Sequence, residues 1–220
     1  MKTLKKAYYL NLIIFVLEVL PTIWMMSGIG TGMLTASKYN IFKYFTVDSN
    51  ILMGLCSLFA AIDQKKVLDQ KKKEVSAVTY IFKLIGTVGV TLTMLVTVFF
   101  LGPTMGRTNG FFSLFQGPNF LFHFVDPVLS LIVFLFFEKG RKIAFQHTFA
   151  SLLPLAIYGI YYVSQVFLHL DNGAINKTYD FYGLFFAGPK SVFIVLPVIA
   201  VIAWLISFIL WKLNRRNAEN

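Results

Sequence analysis

Residues 44–62 read Tyr-Phe-Thr-Val-Asp-Ser-Asn-Ile-Leu-Met-Gly-Leu-Cys-Ser-Leu-Phe-Ala-Ala-Ile. From Ile51 to Ile62 the only hydroxyl or charged side chain is that of Ser57. A run of this kind is long enough to cross ~30 Å of hydrocarbon, which takes ~20 residues of helix. It must do so as a helix, because the bilayer core offers no water to backbone groups left unpaired. The first turns are different in kind: Thr46, Asp48, Ser49 and Asn50 fall within five positions. Polar side chains at membrane depth are costly unless partnered, so the cluster is either a satisfied helix start or part of a site.

On either side of this run, five further apolar runs occupy residues 7–29, 78–101, 118–137, 149–168 and 191–213. The chain is 57% hydrophobic and 14% charged, against about a quarter charged in soluble domains. The expected fold class is therefore all-α: one polytopic bundle of six transmembrane helices filling residues 1–220. The first run follows Lys2, Lys5 and Lys6 as a signal peptide would, but it has spanning length and no clean cleavage site, so a retained first helix is expected. One cysteine, Cys56, leaves no disulfide framework and no cysteine-based zinc site.

Lysine and arginine set the expected orientation. Fourteen lie on one side: Lys2, Lys5 and Lys6; five in the 63–77 loop; Lys139, Arg141 and Lys142; and Lys212, Arg215 and Arg216. The other side holds five, Lys38, Lys43, Arg107, Lys177 and Lys190. Both termini are thus expected in the cytoplasm, in a multi-pass cell-membrane protein. The net charge of +10 is accounted for by these loops, and no nucleic-acid partner is expected. Lys83 lies just inside the third helix and is expected to snorkel toward the basic side.

In that topology the polar residues of the membrane collect in the outer half, and the inner halves carry no similar cluster. Three stripes follow helical spacing: Thr46, Ser49, Asn50 and Met53 on the second helix, Asn119, His123, Asp126 and Ser130 on the fourth, and Tyr158, Tyr162, Gln165 and His169 on the fifth. His123 falls about 7 Å below its helix start at 1.5 Å per residue. Asp48 points away from Thr46 by roughly 200°. Glu18, midway along the first helix, finds no partner by depth.

Two chemistries suit this convergence. In one, His123 is a general base for a hydroxyl nucleophile, Thr46 or Ser49, with Asp126 or Asn119 orienting the ring and Asn50 polarising a carbonyl. In the other, His123, Asp126 and His169 hold a metal, but the spacing lacks the regularity of a metal motif, so no metal or cofactor is expected. Without chemistry, Tyr158, Tyr162, Gln165, His169 and Asn50 could line a polar outer cavity that binds or carries a small solute. A third possibility is that the stripes serve helix packing alone.

The motifs resemble a known family. Tyr44-Phe45-Thr46, with Ser49-Asn50 following, resembles the opening of the second helix in the androgen-induced six-helix membrane threonine hydrolases and their bacterial relatives. His123 with Pro127 resembles that family's His-x-x-x-Pro on the fourth helix. Pro154 with Tyr158 resembles its Pro-x-x-Tyr on the fifth, and Tyr179–Gly183 its aromatic outer loop. The resemblance implies hydrolysis of lipid esters, directed in animals toward fatty-acid esters of hydroxy fatty acids, with Thr46 as nucleophile and His123 as base. It implies a membrane lipid or lipid-like substrate.

Overall fold

The computed structural model describes residues 1–29, 36, 38–104, 110–138 and 143–219. Arg107, Lys139, Arg141 and Lys142, counted above for orientation, lie outside the described residues. Six helices are long and apolar enough to cross a membrane: α1 Lys2–Ser27, α2 Phe45–Leu68, α3 Ala77–Thr104, α4 Pro118–Phe137, α5 Phe145–Leu168 and α6 Pro189–Arg216. Among the described residues the only β-type pairing is one bridge, Asp171 with Ala174. Every helix presents a large apolar side chain outward, as with Leu20, Leu55, Phe99, Phe136, Ile160 and Phe193. Such an exterior suits lipid, and the chain is a multi-pass membrane protein. Six successive spans bring both termini to one end, called here the terminal end; the other is the distal end.

All six spans lie where sequence placed them, but most run longer: α1 starts at Lys2 rather than residue 7 and α5 at Phe145 rather than 149. Helix α2 runs past Ile62 to Leu68 and carries Asp63 with it. The Asp63 carboxylate accepts from Ser76 N–H and Thr79 Oγ1, both at 2.7 Å, and pairs with Lys72. Ser76 in turn caps α3, its Oγ accepting from Thr79 N–H at 3.2 Å. The two helices are thus stapled through unpaired first-turn donors.

Helix α1 buries one stripe, Ala7, Asn11, Ile14, Glu18, Pro21 and Met25, at alternating spacings of four and three. It lies close against α2 because Gly54 faces it. A Cβ at position 54 would come within 2.9 Å of Glu18 Cβ. Gly86 on α3 does the same toward Met53, whose Sδ would lie 2.8 Å from an added Cβ. Small residues at such crossings let backbones approach in membranes, where packing rather than hydrophobicity drives association. Gly54→Ala is therefore expected to lower stability by about 1–3 kcal/mol, the usual effect of overpacking, measured by thermal unfolding in detergent micelles.

Three wide, π-type turns interrupt the helices, at Thr97–Leu101, Leu121–Val125 and Val133–Phe137. Two of them precede a proline. Pro127 has no N–H and its ring crowds the carbonyl four residues back, that of His123. The chain accommodates it by widening one turn, with Asp126 N–H bonded to the Leu121 carbonyl. Pro103 succeeds the α3 turn in the same way, where Gly102 N–H bonds to Thr97 O. Widened turns of this type are frequent at functional sites.

Candidate functional site

Two tyrosine hydroxyls tie down the start of α2. The Tyr158 hydroxyl of α5 donates to the Lys43 carbonyl at 2.7 Å. The Tyr182 hydroxyl, from the loop after α5, accepts from Phe45 N–H at 3.0 Å, so a first-turn donor that no helix bond could satisfy is paired. The Thr46 and Tyr158 hydroxyls stand near Tyr182 on the same cavity wall. Loss of water pushes the Tyr182 phenol up to about 12, so it is a neutral donor and acceptor throughout the physiological range. The loop is itself anchored by Asp180, whose carboxylate accepts from Leu184 N–H at 2.9 Å, Phe185 N–H at 3.1 Å and the Tyr162 hydroxyl. Its aromatic residues Phe181, Tyr182 and Phe185 pack on Tyr162, forming a cover over the distal end of α5.

Beneath this cover is a cavity of about 410 Å³ between α2, α3, α5 and α6. Its walls are mainly apolar, with Leu92, Val96, Leu155 and Ile199 among them. Its polar groups are hydroxyls: Thr46, Thr93, Thr97, Tyr158, Tyr162 and Tyr182. Thr97 is fully buried, and among the described residues its hydroxyl has no hydrogen-bond partner. The shape and composition match ligand pockets generally, an apolar space with a few placed polar groups. Of the residues singled out in sequence, Tyr158 and Tyr162 line this cavity, and Gln165, His169 and Asn50 are not among its lining residues. Instead, the His169 ring bonds through Nδ1 to Gln165 O at 2.9 Å and stacks on Tyr179 at 3.8 Å. The cavity is consequently apolar rather than polar.

The other half of the expected constellation faces α4. His123, in the widened turn, is buried, and its Nδ1 lies 2.9 Å from the Leu114 carbonyl. A carbonyl only accepts, so Nδ1 carries the proton and Nε2 of the neutral ring is the basic nitrogen. The group that orients His123 is therefore Leu114 O, and neither Asp126 nor Asn119 fills that role. Asn119 is buried one turn earlier, at the start of α4. Ser49 spends its hydroxyl on the α2–α3 contact, 3.1 Å from both Thr46 O and Thr93 Oγ1. Asn50 donates from Nδ2 to Thr46 O at 2.6 Å and to Phe122 O, across on α4, at 3.4 Å. Asn50 thus links the Thr46 turn to the His123 turn, while among the described residues no hydrogen bond joins Thr46 to His123 directly. Asp48 is half-buried and lines a separate groove with Phe42, Leu52 and Phe82.

Two sequence expectations are corrected at the terminal half of the bundle. Lys83 does not snorkel; it is fully buried. And that half does carry a polar cluster. Lys83 Nζ donates to Asn11 Oδ1 at 2.8 Å and Ser57 Oγ at 3.0 Å, with Glu138 Oε2 at 3.7 Å. Glu138 Oε1 accepts from Asn11 Nδ2 at 2.6 Å and Gln64 Nε2 at 3.2 Å. The cluster joins α1, α2, α3 and the end of α4, and neutralises one buried charge with another. It was hidden in sequence because its members are single residues on four helices, each unremarkable on its own stripe. Asp126 is the third difference: its carboxyl meets that of Glu18 on α1. The metal alternative is not assembled either, since His123, Asp126 and His169 each face different partners. Among the described residues no three His, Cys, Asp or Glu side chains group as a metal site.

No family model, curated protein or solved structure matches the chain. The family resemblance therefore rests on the motif residues alone. The cavity residues that sequence reasoning passed over are Tyr182, Thr93 and Thr97. A signal for the last two existed: Thr93 and Thr97 are four apart on one face of α3.

Proposed function

We propose that this chain is a cell-membrane protein with both termini in the cytoplasm, and that its distal half takes up an acyl lipid from the outer leaflet. The acyl chain occupies the cavity between α2, α3, α5 and α6, and the polar end meets the hydroxyls of Thr46, Tyr158 and Tyr182. The observation that carries this reading is the cavity itself: apolar walls, hydroxyls gathered under the aromatic cover, and about 410 Å³ of space. The orientation rests on the fourteen basic residues of the terminal side against five distal ones. Gly159 offers a direct test. It lines the cavity, and the nearest atom to a Cβ added there, on Leu196, would be 4.0 Å away. Gly159→Phe is expected to fill the cavity without disturbing the backbone. Lipid copurifying with the wild type, measured by mass spectrometry, should fall to background in the variant; equal lipid in both would refute cavity binding.

Hydrolysis of an ester in that lipid is a second reading, favoured by Nε2 of His123, which bonds to none of the described residues, and by Thr46 on the cavity wall. Thr46 Oγ1 would attack the ester carbonyl while its proton passes to Nε2. Collapse would break the ester C–O bond, the proton returning to the leaving alcohol, and water would then release the acid from Thr46 by the same steps. Tyr182 O–H would donate to the carbonyl oxygen as charge develops there. Attack requires the α2 and α4 turns that Asn50 bridges to close on the substrate.

A further inference from the structure

On the far side of Phe45 and Tyr158 from the cavity, a groove of about 550 Å³ runs between α2, α3 and α5. The two rings line both spaces and pack on each other at 5.1 Å, so they form the partition. Thr46 lies on the cavity side and Asp48 on the groove side. Along α5 the groove extends from Tyr161 to Leu153, about 12 Å at 1.5 Å per residue. That is close to the hydrocarbon depth of one leaflet, half of ~30 Å. Asp48 and Tyr161 mark its distal part, and Leu52, Phe82, Leu153 and Ile157 line it further down. Phe82, Leu153, Ile157 and Tyr161 are exposed on the outside of the bundle, so the groove opens to lipid.

Among the described residues Asp48 is the one charged side chain in this lining. An acidic residue in a first helical turn often serves free N–H groups, but here those groups are bonded elsewhere. Phe45 N–H donates to the Tyr182 hydroxyl at 3.0 Å. Val47 and Asp48 N–H both donate to the Tyr44 carbonyl, at 3.0 and 3.3 Å. The Asp48 carboxylate takes no hydrogen bond and forms no ion pair among the described residues. Lys43 is five positions away, but its ammonium stands over the Tyr44 and Phe181 rings, 5.1 Å from each. The Ser49 and Tyr158 hydroxyls are committed to Thr93 and to the Lys43 carbonyl. The start of α2 supplies only about half a positive charge. Asp48 is three residues into a spanning helix, where an ionisable group without a partner marks a functional site by default.

Charge and hydrogen bonding together decide the occupant. A carboxylate only accepts, so its partner must donate N–H groups as well as carry positive charge. An ammonium does both, and a charge-assisted bond of this kind is about twice as strong as a neutral one. The apolar lining below Asp48 suits one alkyl chain. A zwitterionic phospholipid fits less well, because its phosphate would meet the same carboxylate and no basic residue lines the groove to receive it. We propose that this groove seats a long-chain primary amine from the distal leaflet. Its ammonium rests on Asp48, and its chain runs down past Leu52 and Ile157. The site is separate from the cavity and stands whatever the cavity binds.

The test uses the purified full-length chain in nonionic micelles. Dodecylamine is titrated in and the bound amine counted by native mass spectrometry, with dodecyltrimethylammonium and dodecanol as comparisons. One amine per chain is expected. The trimethylammonium carries the charge without N–H groups, and the alcohol has a donor without the charge. Each should bind about tenfold more weakly or worse, the effect of losing a hydrogen bond to a charged group. Asp48→Asn should lower amine binding to the level of the alcohol. Ile157→Trp, on the lipid-exposed rim, should block both. Gly159→Phe, which fills the cavity beyond the partition, should leave amine binding as in the wild type. Equal binding of amine and alcohol by the wild type would overturn the proposal, as would unchanged amine binding in Asp48→Asn. Loss of the amine in a Gly159→Phe variant that unfolds at the wild-type temperature would place it in the cavity and overturn the groove. The ligand series needs only the wild type, so it decides the matter even if a variant does not fold.

Discussion

Replacing Lys83 with alanine is expected to destabilise the bundle by about 3–5 kcal/mol, the range for stranding one partner of a buried ion pair. Lys83 is the positive centre of a cluster with no access to water. Its loss leaves Glu138 as a buried carboxylate facing only the Asn11 and Gln64 amides. It also strips Asn11 Oδ1 and Ser57 Oγ of their donor. Denaturant or thermal unfolding in detergent micelles measures the effect. The double variant Lys83→Ala with Glu138→Gln should recover part of the loss, since the stranded charge is gone and a neutral amide can still bond locally. If Lys83→Ala alone were as stable as the wild type, the cluster could not be what holds α1, α2, α3 and α4 together at the terminal half.

Thr46→Ala and His123→Ala are each expected to lower hydrolysis of a long-chain acyl ester by about 10²–10⁴-fold, the usual contribution of a positioned acid–base group. A threonine hydroxyl is a weak nucleophile and needs an adjacent base, so removing either partner should reduce the rate to a similar floor. The double variant should be no slower than the worse single one, because residues acting as a unit are not additive. The measurement is turnover by purified protein, with lipid occupancy followed in parallel. Unchanged turnover in both variants would remove the hydrolase reading and leave cavity binding intact, since occupancy is tested separately by Gly159→Phe.

The candidate site was legible in part. Tyr158 and Tyr162 line the cavity with Thr46, whereas Asp48 lines a different groove. The pairing of His123 with Asp126 failed for a specific reason. Spacing of three residues places two side chains on one face only if the turn between them is regular. Here His123 lies inside the widened turn Leu121–Val125, and Asp126 comes directly after it. Face counting at 3.6 residues per turn does not carry across such an interruption. His123 accordingly meets the Leu114 carbonyl, and Asp126 meets Glu18. The polar cluster at the terminal half escaped for a different reason. Asn11 and Glu138 are 127 positions apart, and nothing local in either segment announces the other.

The order of amino acids alone dictates that the chain has six spans, that they are helical, and which positions on each are polar. Hydrocarbon leaves the backbone no other option, and helical periodicity is a property of each segment alone. Which polar groups meet is a matter of packing. It depends on the rotation and depth of one helix against another, and these are set by contacts no single segment encodes. Gly54 against Glu18 and Gly86 against Met53 fix how closely helices approach, and the widened turns reset the facing of the residues beyond them. Through those contacts Lys83 found Glu138, Glu18 found Asp126, and Thr46 came to stand beside Tyr182 on the wall of a cavity.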